Sequence, residues 1–151
     1  MSIEFLILVN KQGQTRFSHY KAYVSSESRI SLEGVIGRKC IRRSATESSV
    51  FEYNTYTIVY RQYASLFFIV GVSTASSDLS GVSSGSVNLL SIYEFIHCVV
   101  ETLNEYFEDV CEIDVLFNLE KVHFVIDEMI SNGAVGETNR QHVLCAVGMT
   151  E

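Results

Sequence analysis

Residues 64–72, Ala-Ser-Leu-Phe-Phe-Ile-Val-Gly-Val, are the most hydrophobic stretch of the chain. Polar residues do not alternate with apolar ones here, so the stretch reads as a central strand with apolar neighbours on both faces. The unbroken run Leu66–Val72 is far shorter than the roughly 20 residues a helix needs to span a bilayer. A strand of this kind belongs in the middle of a sheet, and that sheet must be covered on both sides.

The sequence before it supplies four more strands and a crossover. Ile3 to Val9 is apolar except for Glu4 and reads as a strand. Asn10-Lys11-Gln12-Gly13-Gln14 has turn chemistry, with Gly13 free to take a positive φ. Thr15 to Tyr20 is the returning strand. Ser25-Ser26-Glu27-Ser28 offers N-cap groups for a helix whose apolar stripe is Ile30, Leu32, Val35, Ile36, Cys40 and Ile41. Gly34 and Gly37 each weaken that helix by about 1 kcal/mol relative to alanine, which packing must offset. After the polar loop 44–49, Val50–Tyr53 and Tyr56–Arg61 form a hairpin around Asn54-Thr55. Five strands in hairpin-like succession with one helical crossover predict a mostly antiparallel sheet.

The sequence after it is helical. Residues 73–88 come first, with seven serines and two glycines in sixteen positions, and read as a mobile loop. Leu89, Ile92, Tyr93, Ile96, Val99, Val100, Leu103 and Phe107 repeat at three and four. A second helix is predicted from about Ile113 to Ser131, ended by Asn132-Gly133. A last short one is predicted from Thr138 to about Val147. The order is ββαβββααα, an α/β (α+β) domain occupying 1–151, with one helix on one face of the sheet and two longer ones on the other. Between the two long helices lies Asn104–Asn118, NEYFEDVCEIDVLFN, which reads as a bend with apolar residues inward and acids outward.

Composition narrows the function. The chain has 151 residues, 19% charged and 47% hydrophobic, with a mean hydropathy of +0.18. The charged share is below the usual quarter or so, which fits either a large core or apolar surface reserved for a partner, the partner being the favoured reading. A net charge of −7 argues against nucleic-acid binding and against attraction of the whole domain to anionic lipid. Cys40, Cys98, Cys111 and Cys145 lie far apart without metal spacing, as expected of reduced thiols in a cytosolic protein. Glu4 interrupts the first apolar run and no basic stretch precedes it, so a signal peptide is not expected here.

Four motifs bear on chemistry. Gly81-Val82-Ser83-Ser84-Gly85 matches a nucleophile elbow but lies well after the strand it would have to leave directly, so a chance match is the better reading. His97-Cys98 are neighbours on a helix and point about 100° apart. Glu105, Glu108, Asp109, Glu112 and Asp114 lack the glycine turn and alternating ligands of a calcium loop. Arg38-Lys39-Cys40-Ile41-Arg42-Arg43 reads as a solvated basic helix end, or else as a contact for an acidic partner or membrane phosphates.

Six segments carry a family resemblance: Asn10–Arg16 (NKQGQTR), Tyr60–Ala64 (YRQYA), Ile92–His97 (IYEFIH), Asn104–Phe107 (NEYF), Val110–Asp114 (VCEID) and Asp127–Met129 (DEM). In order and spacing they resemble the small (sigma) subunits of heterotetrameric clathrin-adaptor-type complexes. NKQGQTR, YRQYA, Val70-Gly71-Val72, IYEFIH and Glu137–Arg140 are most similar to the sigma subunit of the fourth adaptor complex. The resemblance implies a longin-like fold, no catalysis and no cofactor. It implies partners: the N-terminal trunk of a large, epsilon-like subunit, with beta and mu subunits. It also implies recruitment by an Arf-type GTPase, a peripheral place on the cytosolic face of trans-Golgi and endosomal membranes, and sorting of transmembrane cargo. By position, Arg16 corresponds to the arginine that favours the acidic end of a dileucine signal. Ala64, Leu66, Val100, Val110 and Val115 correspond to the leucine pocket. Burying each leucine would contribute roughly 1.5–3 kcal/mol before ordering costs. Asp109 stands where dileucine-binding relatives carry asparagine, and a carboxylate there repels an acidic peptide. Val115 is smaller than the leucine common at its position. The alternative is a stand-alone longin-type module of a SNARE or tethering complex. The chain stops at Glu151 without a heptad tail, which disfavours the SNARE version. A hydrolase using Ser83 or Cys98 fails on spacing.

Overall fold

The computed structural model describes residues 3–44, 46–73, 89–108 and 110–131. The predicted serine-rich loop, apart from Ser73, lies outside these residues, as do the last predicted helix (138–147), Ser83, Asp109 and Cys145. The chain forms two compact units, residues 1–89 and 90–151.

The first unit is a five-stranded sheet built from β1 (Ile3–Asn10), β2 (Thr15–Tyr20), β3 (Val50–Tyr53), β4 (Tyr56–Tyr63) and β5 (Leu66–Ser73), with helix α1 (Ser26–Arg42) crossing over between β2 and β3. The spatial order is β2-β1-β5-β4-β3 and every adjacent pair is antiparallel. The hydrophobic run 64–72 yields the middle strand, as its composition requires. Successive side chains alternate between faces. Phe67 and Ile69 join Phe5, Ile7, Val9, Ile58 and Tyr60 in a core that includes Ile36 and Cys40 of α1. Their sequence neighbours Leu6, Leu8, Leu66, Phe68 and Val70 are also fully buried.

Two bulges adjust this sheet. Ile3 pairs with Val72 and Phe5 with Gly71, which leaves Glu4 as the extra residue. The one polar residue in an apolar run is thus the one taken out of the ladder, and its carbonyl accepts the Lys21 N–H at 2.9 Å. Gly71 admits the Phe5 ring. A Cβ on Gly71 would stand 2.1 Å from Phe5 Cζ.

Helix α1 starts where predicted, with Ser25 Oγ accepting the Ser28 N–H. Its apolar stripe holds except at its start. Ile36 and Cys40 are buried, Leu32 and Ile41 pack half-buried against the same core, and Ile30 alone is largely open at 73% exposure. Beside Leu32, Arg29 and Glu33 meet Tyr20 of β2. The Arg29 guanidinium lies 4.7 Å from the centre of the Tyr20 ring, and Tyr20 Oη donates to Glu33 Oε1 at 2.8 Å. Ile30, about 100° round the helix from Arg29, lies off this side. Burial, reinforced by the Glu33 carboxylate, pushes the Tyr20 phenol well above its ordinary range. Gly37 lets the second half approach β1 closely: a Cβ there would touch Val9 at 3.4 Å.

The second unit contains α2 (Leu89–Phe107), α3 (Glu112–Phe117) and α4 (Leu119–Ser131). The first of these matches its periodicity, with Ile92, Phe95, Ile96, Val99, Val100 and Leu103 buried. The helix predicted from 113 to 131 is in fact two helices. Asn118 leaves helical geometry at φ −131°, ψ 39°. Its side-chain amide donates to the Asp114 carbonyl at 2.9 Å, the acceptor its own backbone N–H would use in a continuous helix. Asparagine competes with the backbone in this way and so breaks helices that apolar spacing alone would continue. Among the described residues the order is thus ββαβββααα, with two of the last three helices made from the one predicted over 113–131.

Candidate functional site

In the first unit, the predicted cargo residues gather at one end of the sheet. Arg16 is the extra residue of a bulge: Leu8 pairs with Phe17 and Val9 with Thr15. A bulge re-aims the side chain it releases. The direction is set by the preceding turn. Asn10, 2% exposed, accepts the N–H groups of Gln12 and Gln14 on Oδ1 at 3.0 and 2.9 Å. Its Nδ2 donates to Gln14 Oε1 at 3.0 Å, and Arg16 Nη2 donates to the same oxygen at 2.8 Å. Asn10 thus holds Gln14, and Gln14 aims the guanidinium. The NKQGQTR segment, read first as turn chemistry, is a device for presenting a cation. Neither Asn10 nor Gln14 was predicted as a site residue. The signal was present in the two amides placed four residues apart around Gly13.

Leu66 pairs with Asn10 across β1 and β5, and with Tyr63 across β4 and β5. Arg16 and Leu66 therefore lie at the same sheet end, two strands apart, roughly 10 Å at ordinary strand spacing. Ala64 occupies the two-residue turn joining β4 to β5 and holds a left-handed φ of 53°. Alanine adopts that region at a cost of about 1–2 kcal/mol. The strand predicted from Ala64 therefore begins at Leu66, because the turn takes the first two residues.

In the second unit, Val100 lies on α2, Val110 in the bend, and Val115 on α3, all buried at 7%, 1% and 0% exposure. The bend is built by three contacts. Glu108 takes a φ of 53° and ends α2. Asn104 Oδ1 accepts the Val110 N–H at 2.9 Å. Asp114 Oδ2 accepts the Cys111 N–H at 3.0 Å and its thiol at 3.2 Å, capping α3. Asp114 is thus a structural acid near the start of the helix. Asn104 was quoted as part of a motif without a role; it fixes Val110. The expectation that the apolar residues of this stretch face inward holds for Val110 and Val115. It fails for Ile113, Leu116 and Phe117, which are 62%, 38% and 82% exposed. The bend and the short α3 leave this helix too small a buried face to take them all.

The remaining motifs divide. His97 Nε2 lies 2.8 Å from Glu101 Oε1, one helical turn away, so its polar partner is an acid and not Cys98. In the basic cluster, Lys39 lies over the Phe51 and Tyr53 rings at 5.8 and 5.1 Å. Arg43 donates to the Ser48 carbonyl and lies 3.7 Å from Glu47. Cys40, buried beneath them, has its thiol pushed up to about 12 by burial, with Arg43 opposing. Among the described residues, no helix is long and apolar enough to cross a membrane, and no His, Cys, Asp or Glu cluster could hold a metal ion.

Comparison with known proteins gives the chain's family. The family model for the clathrin adaptor complex small chain matches residues 2–151. The AP-4 complex subunit sigma of Arabidopsis thaliana is 43% identical over all of this chain and 98% of its own length. The AP-4 complex subunit sigma-1 of Homo sapiens is 44% identical over 94% of this chain and 91% of its own. A homology model of the full-length AP-3 complex in a stretched open conformation contains a chain that superimposes with a TM-score of 0.74. That likeness covers 98% of this chain and 92% of the other at 23% identity, and it speaks to the fold alone.

Proposed function

Because the chain belongs to the clathrin adaptor complex small chain family, we propose that it is the sigma subunit of an AP-4-type heterotetramer that sorts transmembrane cargo into vesicle coats. The observation that carries this is the similarity to AP-4 sigma subunits along the whole length rather than over one motif. Its large partner is an epsilon-like trunk, with beta and mu subunits completing the complex. An Arf-type GTPase recruits the assembly to the cytosolic face of trans-Golgi and endosomal membranes. The role is one of assembly and recognition, without catalysis. The exposed Ile113, Leu116 and Phe117 support a partner-dependent protein, since contiguous large apolar groups in the open mark a contact surface. The test is affinity purification of the tagged chain from its own cells. The expected result is co-purification of adaptor large subunits; a chain recovered without them overturns the reading.

Within that role, the chain contributes to an acidic dileucine site, with Arg16 at the acidic end and Ala64, Leu66, Val100, Val110 and Val115 for the leucines. The aimed guanidinium of Arg16 supports this. The four larger aliphatic residues of the set are buried in the free chain, so neighbouring side chains must move before a leucine reaches them. Asp109 works against an acidic ligand.

A further inference from the structure

The charge of this chain is segregated. Nine of its eleven Lys and Arg, but only six of its eighteen Asp and Glu, precede residue 90. The first unit is therefore net positive in a protein whose overall charge is −7. The densest part is the end of α1, and its four cations have different surroundings. Lys39 and Arg43 are spent on the β3 aromatic rings and on the 44–48 loop. Arg38 and Arg42, one helical turn apart, are exposed and point away from the buried Ile36–Cys40 side. The nearby carboxylates are committed elsewhere, Glu33 to Tyr20 and Glu47 to Arg43. Among the described residues, neither Arg38 nor Arg42 has an ion-pair partner. The β1–β2 turn packs on the same part of the helix, since a Cβ on Gly13 would lie 3.3 Å from Ile41 and one on Gly37 would lie 3.6 Å from the Gly13 carbonyl. That turn carries the exposed Lys11 to the same end of the unit.

We propose that Arg38, Arg42 and Lys11 form a contact surface for the phosphate headgroups of an anionic membrane. The proposal rests on the adaptor reading, which brings the protein to a membrane surface. A lipid occupant is favoured over a protein one by what the patch lacks. Protein interfaces are centred on apolar and aromatic groups, and the large exposed apolar residue of α1, Ile30, is two turns or more away toward the other end of the helix. A headgroup layer needs only unpaired cations held within a Debye length of it.

The test uses the complex captured through the tagged full-length chain, and the full-length chain itself. Each is co-sedimented with phosphatidylcholine vesicles, plain or doped with a phosphatidylinositol phosphate. The paired change Arg38→Ala/Arg42→Ala should weaken binding to doped vesicles about 30-fold at low salt, from roughly a fivefold loss for each of the two basic groups at the surface. Arg38→Lys/Arg42→Lys should bind as wild type, because charge and not a planar fork is at work. Equal binding by the alanine and wild-type proteins overturns the proposal. So does loss of the large subunit from the alanine variant, which would make the patch a protein contact. Free inositol phosphate competing as well as the doped membrane would assign the patch to a soluble phosphate and also overturn it. Failure of the wild-type chain to capture any large subunit strikes instead at the adaptor reading, and the vesicle arm on the full-length chain still decides the patch.

Discussion

Replacing Gly71 by alanine tests the packing at the centre of the sheet. Gly71 sits on β5 opposite Phe5 of β1, and a Cβ there would fall 2.1, 2.3 and 2.6 Å from three carbons of the Phe5 ring. All three distances are below any real carbon contact, so the ring or the strand must move. The ring has little freedom. Phe5 is 1% exposed and is flanked by Tyr20 at 5.8 Å and by Tyr56, edge-on, at 5.1 Å. Overpacking of this kind costs about 1–3 kcal/mol, and the depth of the overlap puts Gly71→Ala at the upper end. At the scale of a domain this long, about 3 kcal/mol lowers Tm by roughly 6–12 °C. The assay is thermal and urea unfolding followed by far-UV circular dichroism. Phe5→Leu, which removes ring atoms from the space above Gly71, supplies the second half of a double-mutant cycle. The double variant should lose at least 1 kcal/mol less than the two single changes added together. A Gly71→Ala protein that melts within a degree of wild type, or a double variant whose losses add, refutes the reasoning.

Ala64→Gly relieves the left-handed φ of the β4–β5 turn and should stabilise the protein by about 1 kcal/mol, read as a rise in urea midpoint. Cys40 has a folded-state pKa of about 12, above that of the unfolded thiol. Its contribution is therefore whole below the unfolded value and lost as pH rises toward the folded one. The Cys40 part of the stability should fall by about 1.4 kcal/mol per pH unit from roughly pH 9 upward, and Cys40→Ala should remove that part of the slope in urea titrations at stepped pH, leaving the part due to Tyr20. In a fluorescence-anisotropy assay with an acidic dileucine peptide, the adaptor complex carrying Asp109→Asn should bind roughly fivefold more tightly, and Arg16→Ala should bind more weakly by a similar factor. Unchanged affinity in both removes the chain from that site.

The local elements were legible because their signals are local. Strict apolar runs marked β1 and β5, and three-and-four spacing marked α2. Serine at the cap and basic residues in the last turn bracketed α1. Where a side chain competed with the backbone, the spacing misled. Asn118 split one predicted helix into two, and the Ala64-Ser65 turn shortened a predicted strand. For the candidate site, the resemblance picked out Arg16 and the aliphatic residues by number. It did not reveal that Gln14 aims the one or that Asn104 pins Val110.

Composition and periodicity by themselves determined the fold class, the central place of residues 64–72, and the need for a partner or a large core. Each of these depends on how much apolar surface a segment has and how often it recurs. Only the tertiary structure decided that Glu4 and Arg16 are the bulged residues, that Gly71 is space for a ring, and that Arg29 and Glu33 meet Tyr20 while Ile30 stays open. Those outcomes depend on pairings between residues distant in the chain, where a shift of one position changes every neighbour.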